Sequence, residues 1–305
     1  MKVRFWGVRG SIPSPGPKTQ KYGGNTSCIE LRVGPDNRIV IIDAGSGIRT
    51  LGNSIMAGDL PKGPIKADIF LTHTHWDHIM GYPFFTPIYI PGTKLKVHGP
   101  VSFEEDPLEE VVGGQMKYRY FPVNLGELAS EIEYIRLKEN PSIDLGDGLH
   151  LRTKLLNHPI TALGYRFEYG NRAVCTCYDT EPFRNLFITD PAHPAYDEAM
   201  AIEGEEVAVE QNLAVEQFFA GADLLIYDAQ YTAAEYAARI NWGHTSMEYA
   251  IEAANRAGVK KLALFHHDPD RTDATLDELA TVYCQPGKYG TTEVFYAREG
   301  MGIDL

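Results

Sequence analysis

Only four cysteines occur in 305 residues, Cys28, Cys175, Cys177 and Cys284, too few and too scattered for a disulfide framework. Cys175 and Cys177 alternate within a β-rich stretch, "VCTCYD". Both therefore point to one face and read as buried, reduced thiols, with a zinc site as the minor alternative. Long apolar runs are missing too. None approaches the roughly eighteen residues of a membrane span, and the opening "MKVRFWGVRGS" lacks the long apolar stretch and small-residue cleavage site of a secretory signal. A cytoplasmic chain with no membrane partner is the expectation. Positive charge is short as well, with 28 Lys and Arg against 41 Asp and Glu, a formal net charge of −13. Affinity for a nucleic-acid backbone comes from clustered Lys and Arg, so neither tRNA nor DNA is an expected partner. A small anionic substrate stays open, because metal ions can dominate a local field.

The chain also has no internal repeat and no low-complexity tract. Its apolar content, 44%, is ample for a sizeable core, and residues 1–305 are read as one domain. "KVRFWGV", "SCIELRV" and "RIVIID" read as strands separated by Gly, Pro and Asn segments. A helix over about residues 47–57 follows, and then a strand "ADIFL". "LKVHG" and "EIEYIRL" come next, with a short helix and an aromatic loop between them in "PLEEVVGGQMKYRYFPV". A second strand set, "LHLRTKLL", "ALGYRFEY" and "NRAVCTCY", has its last two members joined at Gly170-Asn171. The rest alternates: helix "EVAVEQNLAVEQFFAG", strand "ADLLIYD", helix "SMEYAIEAANRAG", strand "KKLALFHH" and helix "DATLDELATVYC". In the second of these helices Met247, Ala250, Ile251 and Ala254 mark one face, Thr245 and Glu248 fit a capping box, and Gly258 supplies the stop. Two successive β-then-α halves predict helices flanking a sheet sandwich, an α/β class in four layers.

Histidine is concentrated where the strand "ADIFL" ends. In "LTHTHWDHIMGYPFF", His73, His75, Asp77 and His78 fill four of six positions. On an extended strand end His73 and His75 face one way, while Asp77 and His78 open the next turn. Four such groups in a desolvated place are costly unless they bind something, so they can converge on two nearby ions. A lone His98 in "LKVHGP" fits a satisfied core residue instead.

The His-x-His-x-Asp-His run resembles the signature of the metallo-β-lactamase superfamily, and the likeness extends over nearly the whole chain. The resemblance implies a four-layer αββα sandwich. It also implies that His158 in "LLNHPI" completes the first metal site and that Asp179 in "CYDTE" bridges both metals. His266 in "LALFHH" would close the second site, with its neighbour His267 the competing candidate. Asp43 in "IIDAGSG" matches an aspartate that orients ligand imidazoles; a simple turn residue before Gly45 is the alternative. Seven ligands, His73, His75, Asp77, His78, His158, Asp179 and His266, suit two divalent ions, zinc first, with manganese or iron compatible. Oxygen-reducing di-iron relatives carry Glu where this chain has His75, which favours hydrolysis. Paired metals would lower the pKa of bound water from about 15.7 toward 7 and so supply a nucleophile at neutral pH, with Asp77 at that reacting centre.

"LLIYDAQYT" and "NWGHTSMEYA" resemble paired segments of the superfamily's phosphodiesterase branch, which includes ribonuclease Z and small cyclic phosphodiesterases. There an acidic residue holds a histidine, here Asp228 and His244, and a held imidazolium can protonate a poor leaving oxygen. The alternative makes Asp228 a strand-end residue and His244 a polar group at a helix start. "FWGVRGSIP", "YGGNTSC" and "HWDHIMGYPFF" look most like bacterial enzymes acting on cyclic nucleotides or related cyclic phosphates. Ribonuclease Z carries a basic arm for tRNA that has no counterpart here. Tyr82, Phe84 and Phe85 could stack on a base or pack beneath the site, and Arg9 could meet a phosphate or a surface carboxylate. Residues 181–206 read as an insertion forming a lid or a homodimer contact, with His193 a substrate contact, or else as a solvated acidic loop. Two other functions stay open: a carbon-centred hydrolase of a lactone, thioester or β-lactam, and a non-catalytic binding protein.

Overall fold

The computed structural model describes residues 1–101 and 106–305. The first half of the chain supplies β1 (Lys2–Gly7), β2 (Cys28–Val33), β3 (Arg38–Ile42), β4 (Lys66–Phe70), β5 (Lys94–Pro100) and β6 (Glu131–Leu137). The second supplies β7 (Asn140–Asp144), β8 (Leu149–Leu155), β9 (Leu163–Tyr169), β10 (Arg172–Cys177), β11 (Leu224–Asp228), β12 (Lys261–Phe265) and β13 (Glu293–Tyr296). A last short strand, β14 (Gly302–Asp304), returns to pair antiparallel with β1. Two seven-stranded sheets result, ordered β14-β1-β2-β3-β4-β5-β6 and β13-β12-β11-β10-β9-β8-β7. Both are mixed: β3 to β6 and β10 to β13 run parallel, the remainder antiparallel.

Parallel strands covered on both faces need continuous apolar sequence, which "RIVII", "LLIYD" and "KLALF" provide. Their alternation sorts the core into layers. Val40 and Ile42 face the space between the sheets with Phe5, Leu31, Phe70, Tyr165, Phe167, Val174 and Phe265. Ile39 and Ile41 face outward with Ile48, Leu51 and Ile55 of α1 (Ile48–Gly58). The helices after it are α2 (Trp76–Ile79), α3 (Leu108–Gly113), α4 (Glu198–Phe219), α5 (Ala233–Tyr236), α6 (Met247–Arg256) and α7 (Asp273–Tyr283). On the other side Cys175 and Cys177 share a face with Leu225 and Tyr227, packed by Phe218 and Phe219 of α4, Ala250 and Ile251 of α6 and Leu276 of α7. All four cysteines are free thiols. Three stacked cores make the predicted four-layer αββα arrangement. Among the described residues no helix is long and apolar enough to cross a membrane.

Several local expectations change. Thr245 does not cap α6: its amide donates to Asp228 at 2.9 Å, and Ser246 is the N-cap, accepting from the Tyr249 amide. Helix α4 starts at Glu198, inside the stretch read as an insertion, so only residues 182–197 form a loop. His98 is the core residue expected, stacked on Phe70 at 4.2 Å and 3.3 Å from Asp68.

Candidate metal centre

The parallel strands of both sheets deliver polar residues to one edge of the sandwich. His73 follows β4, Asp43 follows β3, Asp179 follows β10, Asp228 ends β11 and His266 follows β12, the carboxyl-end placement at which open parallel sheets bind ligands. His75 is extended at the start of α2, which turns Asp77 and His78 inward. Of the seven non-glycine residues with positive φ among the described residues, Asp43, Asp179 and His266 belong to this edge, and Ser11 and Asn241 flank it. Left-handed backbone is costly for such residues, and its concentration here marks a place where geometry has overridden local preference.

Donor atoms converge in two sets. In the first, His75 Nδ1 stands 3.1 Å from both His73 Nε2 and His158 Nε2, and Asp179 Oδ2 lies 3.5 Å from His73 Nε2 and 4.0 Å from His158 Nε2. In the second, Asp77 Oδ2 is 3.2 Å from the Nε2 atoms of both His78 and His266. Asp179 Oδ1 is 3.3 Å from the former and 3.2 Å from the latter. Ligand atoms about 2.0–2.1 Å from one tetrahedral ion stand roughly 3.3 Å from one another, so most of these separations are those of a metal's own ligand set. The second set has a further mark of fit. His78 Nε2 and Asp179 Oδ1 are buried and have no hydrogen-bond partner, which is costly unless a cation joins them.

The surrounding residues fix the imidazoles. Asp43 accepts from His78 Nδ1 at 2.7 Å and from the Thr72 amide at 2.7 Å, and Thr72 Oγ1 lies 3.1 Å from His73 Nδ1. His158 Nδ1 donates to the Gly243 carbonyl at 3.0 Å. The Ser11 amide donates to Asp77 Oδ2 at 2.8 Å. Gly10 lies so close to His266 that a Cβ there would stand 2.4 Å from the ring. Gly10→Ala is therefore expected to fold but to hold about one metal per chain instead of two, because it displaces a ligand of one set only. Elemental analysis beside circular dichroism checks this; parental metal content would refute it.

Charge follows geometry. Burial, reinforced by His78, pushes His73 well below its ordinary value, and burial takes His158 down to about 4. Both are thus neutral and free to offer lone pairs. Burial also acts to lower His78, but Asp179, Asp77 and Asp43 outweigh it and raise that imidazole well above its usual value. Burial acts to raise Asp179, yet His266, His78 and His73 hold it well below the carboxylate range. The carboxylates of the second set stay ionised and call for positive charge.

Beside this set, His244 Nδ1 meets Asp228 Oδ2 at 2.8 Å, and its ring stacks on His266 at 4.8 Å. Burial acts to lower His244, but the charge and hydrogen bond of Asp228 prevail and raise it to about 9. Asp228 also accepts from the amides of Asp179, Gln230 and Thr245.

His266, not His267, reaches the donor sets; His267 turns away and donates to the Ala297 carbonyl at 2.7 Å. Arg9 does not meet solvent or the site. It is fully buried, and its guanidinium donates to the carbonyls of Gly23, Asp268 and Arg271. This arginine ties the loops behind His266 together. Phe85 and Tyr82 are buried in the outer core and unavailable for stacking, whereas Phe84 is half-exposed against Phe121. His193 is exposed on the 182–197 loop, where its Nδ1 accepts from the Ala195 amide. Sequence reasoning missed Glu181, which accepts from the amides of Asn241 and Gly243 and from Tyr236 Oη, and so holds the loop beneath His158 and His244. Its only sequence signal is an acid two residues beyond Asp179.

The family profile described as the metallo-beta-lactamase superfamily matches residues 22–202. Ribonuclease Z of Synechococcus sp. (strain CC9311) is 25% identical over 301 residues, covering 88% of each chain. Ribonuclease Z of Lactococcus lactis subsp. lactis (strain IL1403) is 28% identical over 297 residues, covering 87% of this chain and 88% of the relative. The short form of human tRNase Z superimposes with a TM-score of 0.61 at 19% identity, over 100% of this chain and 99% of that one, a likeness of fold. Two of these proteins are ribonucleases and the third a tRNase, which overturns the expectation of no tRNA partner. That expectation rested on the net charge of −13 and a missing basic arm. Net charge averages the whole surface, whereas a polyanion is held by the local field at its site.

Proposed function

We propose, proceeding from the fact that the chain belongs to the metallo-beta-lactamase superfamily, that it is a two-metal phosphodiesterase acting on a ribonucleotide phosphodiester. One observation carries the reading: the two carboxylate oxygens of Asp179 address different donor sets, Oδ2 the histidines 73 and 158, Oδ1 the histidines 78 and 266. When bound there, divalent ions lower the pKa of water toward neutrality and offset phosphate charge, and the nitrogen-rich sets suit zinc. The protein's own residues do the rest. His73, His75 and His158 form one cradle, and Asp77, His78 and His266 the other. Asp43 and the Gly243 carbonyl fix the ring orientations. His244, charged through Asp228, places a proton where a leaving oxygen would depart. Arg184, 3.1 Å from Asn241 Oδ1, ties the 182–197 loop to the segment that precedes His244, which supports a lid role for that loop.

The ribonuclease relatives favour tRNA as the substrate, and the likeness of "FWGVRGSIP" and "YGGNTSC" to small cyclic phosphodiesterases favours a compact one such as a cyclic nucleotide. Zinc- or manganese-reconstituted, desalted protein is expected to hold roughly two metals per chain, the stoichiometry of a two-metal site. It should cleave bis(p-nitrophenyl) phosphate together with precursor tRNA or a 2′,3′- or 3′,5′-cyclic nucleotide. Turnover of a lactone or β-lactam without any phosphodiester, or one metal or none per chain, would reject the reading.

A further inference from the structure

Only three tryptophans occur in the chain, and they divide sharply. Trp6 is buried and donates its indole N–H to Glu30 at 2.8 Å. Trp76 and Trp242 are 72% and 60% exposed, unusual for the residue with the largest apolar surface to hide. Both stand at the metal centre. Trp76 lies between His75 and Asp77, and Trp242 immediately precedes Gly243, whose carbonyl holds His158. The donor atoms of His75 and His158 are 3.1 Å apart, so the two indole-bearing segments border the same donor set from different parts of the fold. Their backbones are fixed. Asn241 and Gly243, on either side of Trp242, donate to the two oxygens of Glu181, and the carbonyls of His75 and Trp76 accept from His78 and Met80. Solvent-facing indoles carried on fixed backbone beside an anion-attracting centre are stacking platforms, and an indole has few rotatable bonds to immobilise when a planar ring binds.

We infer that Trp76 and Trp242 form a subsite for the nucleobase of a nucleotide whose phosphate sits at the metal centre. The inference rests on the phosphodiesterase reading and names the group recognised beside the reacting phosphate. An aromatic pair can also take a quaternary ammonium. The neighbouring charge argues against that occupant. Arg184, bonded to Asn241, also pairs with Glu181 at 3.6 Å, but Arg239 lays its guanidinium over the Tyr231 ring at 5.0 Å, and that ring meets His244 edge-on at 6.2 Å. The Arg239 charge on this edge repels a cationic headgroup and favours an anionic nucleotide.

The test titrates metal-reconstituted protein with AMP, ribose 5-phosphate and phosphocholine, reading affinity by calorimetry and stacking by quenching of tryptophan fluorescence. AMP should bind about tenfold more tightly than ribose 5-phosphate, within the range of one base stacked on an aromatic side chain, and should quench the emission. Trp76→Ala and Trp242→Ala should each erode that preference, the double variant should abolish it, and the Phe replacements should keep most of it. Equal affinities for AMP and ribose 5-phosphate, a preference that survives the double variant, or phosphocholine binding more tightly than AMP would overturn the inference. A base preference in protein that cleaves no phosphodiester would instead sink the proposed reaction and leave the subsite standing. Phosphodiester cleavage without base preference would do the reverse.

Discussion

Asp179→Ala should yield a folded protein that retains at most one metal per chain and whose phosphodiester turnover falls to the buffer rate. Among the described residues no other side chain addresses both donor sets. Its Oδ2 lies 3.5 Å from His73 and its Oδ1 3.3 Å from His78 and 3.2 Å from His266. Deleting it removes one ligand from each set and the negative charge between them. The amide at this position is held by Asp228 at 3.2 Å, so the loop should persist in spite of the left-handed φ of 54°, which alanine adopts less readily than aspartate. Asp179→Asn separates charge from shape. An amide offers one oxygen to one set and presents its N–H donors to the other, and the second metal should be lost while the first remains. Retention of two metals and of substantial turnover by Asp179→Ala would show that the sets close without a bridge, and the two-metal reading would fall.

The legibility of this site in the sequence follows the distance over which its parts interact. His73, His75, Asp77 and His78 lie within one strand end and one turn, so alternation alone suffices to gather them. His158, Asp179 and His266 sit at the ends of separate strands, and nothing in their local sequence says that those ends meet. Resemblance located them. The layers were legible because "RIVII" and "KLALF" must be covered on both faces. The strand "NPSID" of β7 was not, because it is exposed and contains a proline, and the three residues of β14 are too few to show a pattern. Arg9 and Phe85 show a different limit. Residue type suggests what a side chain could do, but burial decides what it can reach. Arg9 saturates backbone carbonyls in the interior, and Phe85 fills the core behind α1. Glu181 escaped notice for the same reason, since an acid that organises backbone amides across some sixty residues of sequence separation has no local signature.

His244 should prove necessary in proportion to how poorly the leaving group departs. Its Nδ1 is engaged by Asp228 at 2.8 Å, and Asp228 is itself fixed by three backbone amides, so the ring is oriented and Nε2 remains to serve substrate. The ring lies flat against His266, with 18° between planes, which sets the imidazole beside the second donor set. His244 is absent from both metal-holding sets built around His73 and His78, so His244→Ala should keep both metals. It should nonetheless lose on the order of 10²- to 10⁴-fold in rate on a cyclic nucleotide or RNA, the usual scale of general-acid catalysis. On a p-nitrophenyl ester the loss should shrink, because nitrophenolate departs without a proton. Asp228→Asn should follow the same trend more weakly, since it removes the charge that holds the proton on the ring but spares the ring itself. The comparison to make is the ratio of kcat/KM on activated and unactivated substrates for parent and variants, with metal content measured on the same samples. Equal losses on both substrates with two metals retained would make His244 a residue that positions substrate. A loss of metal in His244→Ala would assign it to the third potential donor group, with Asp179, Asp228 and His266, and remove the basis for proton donation.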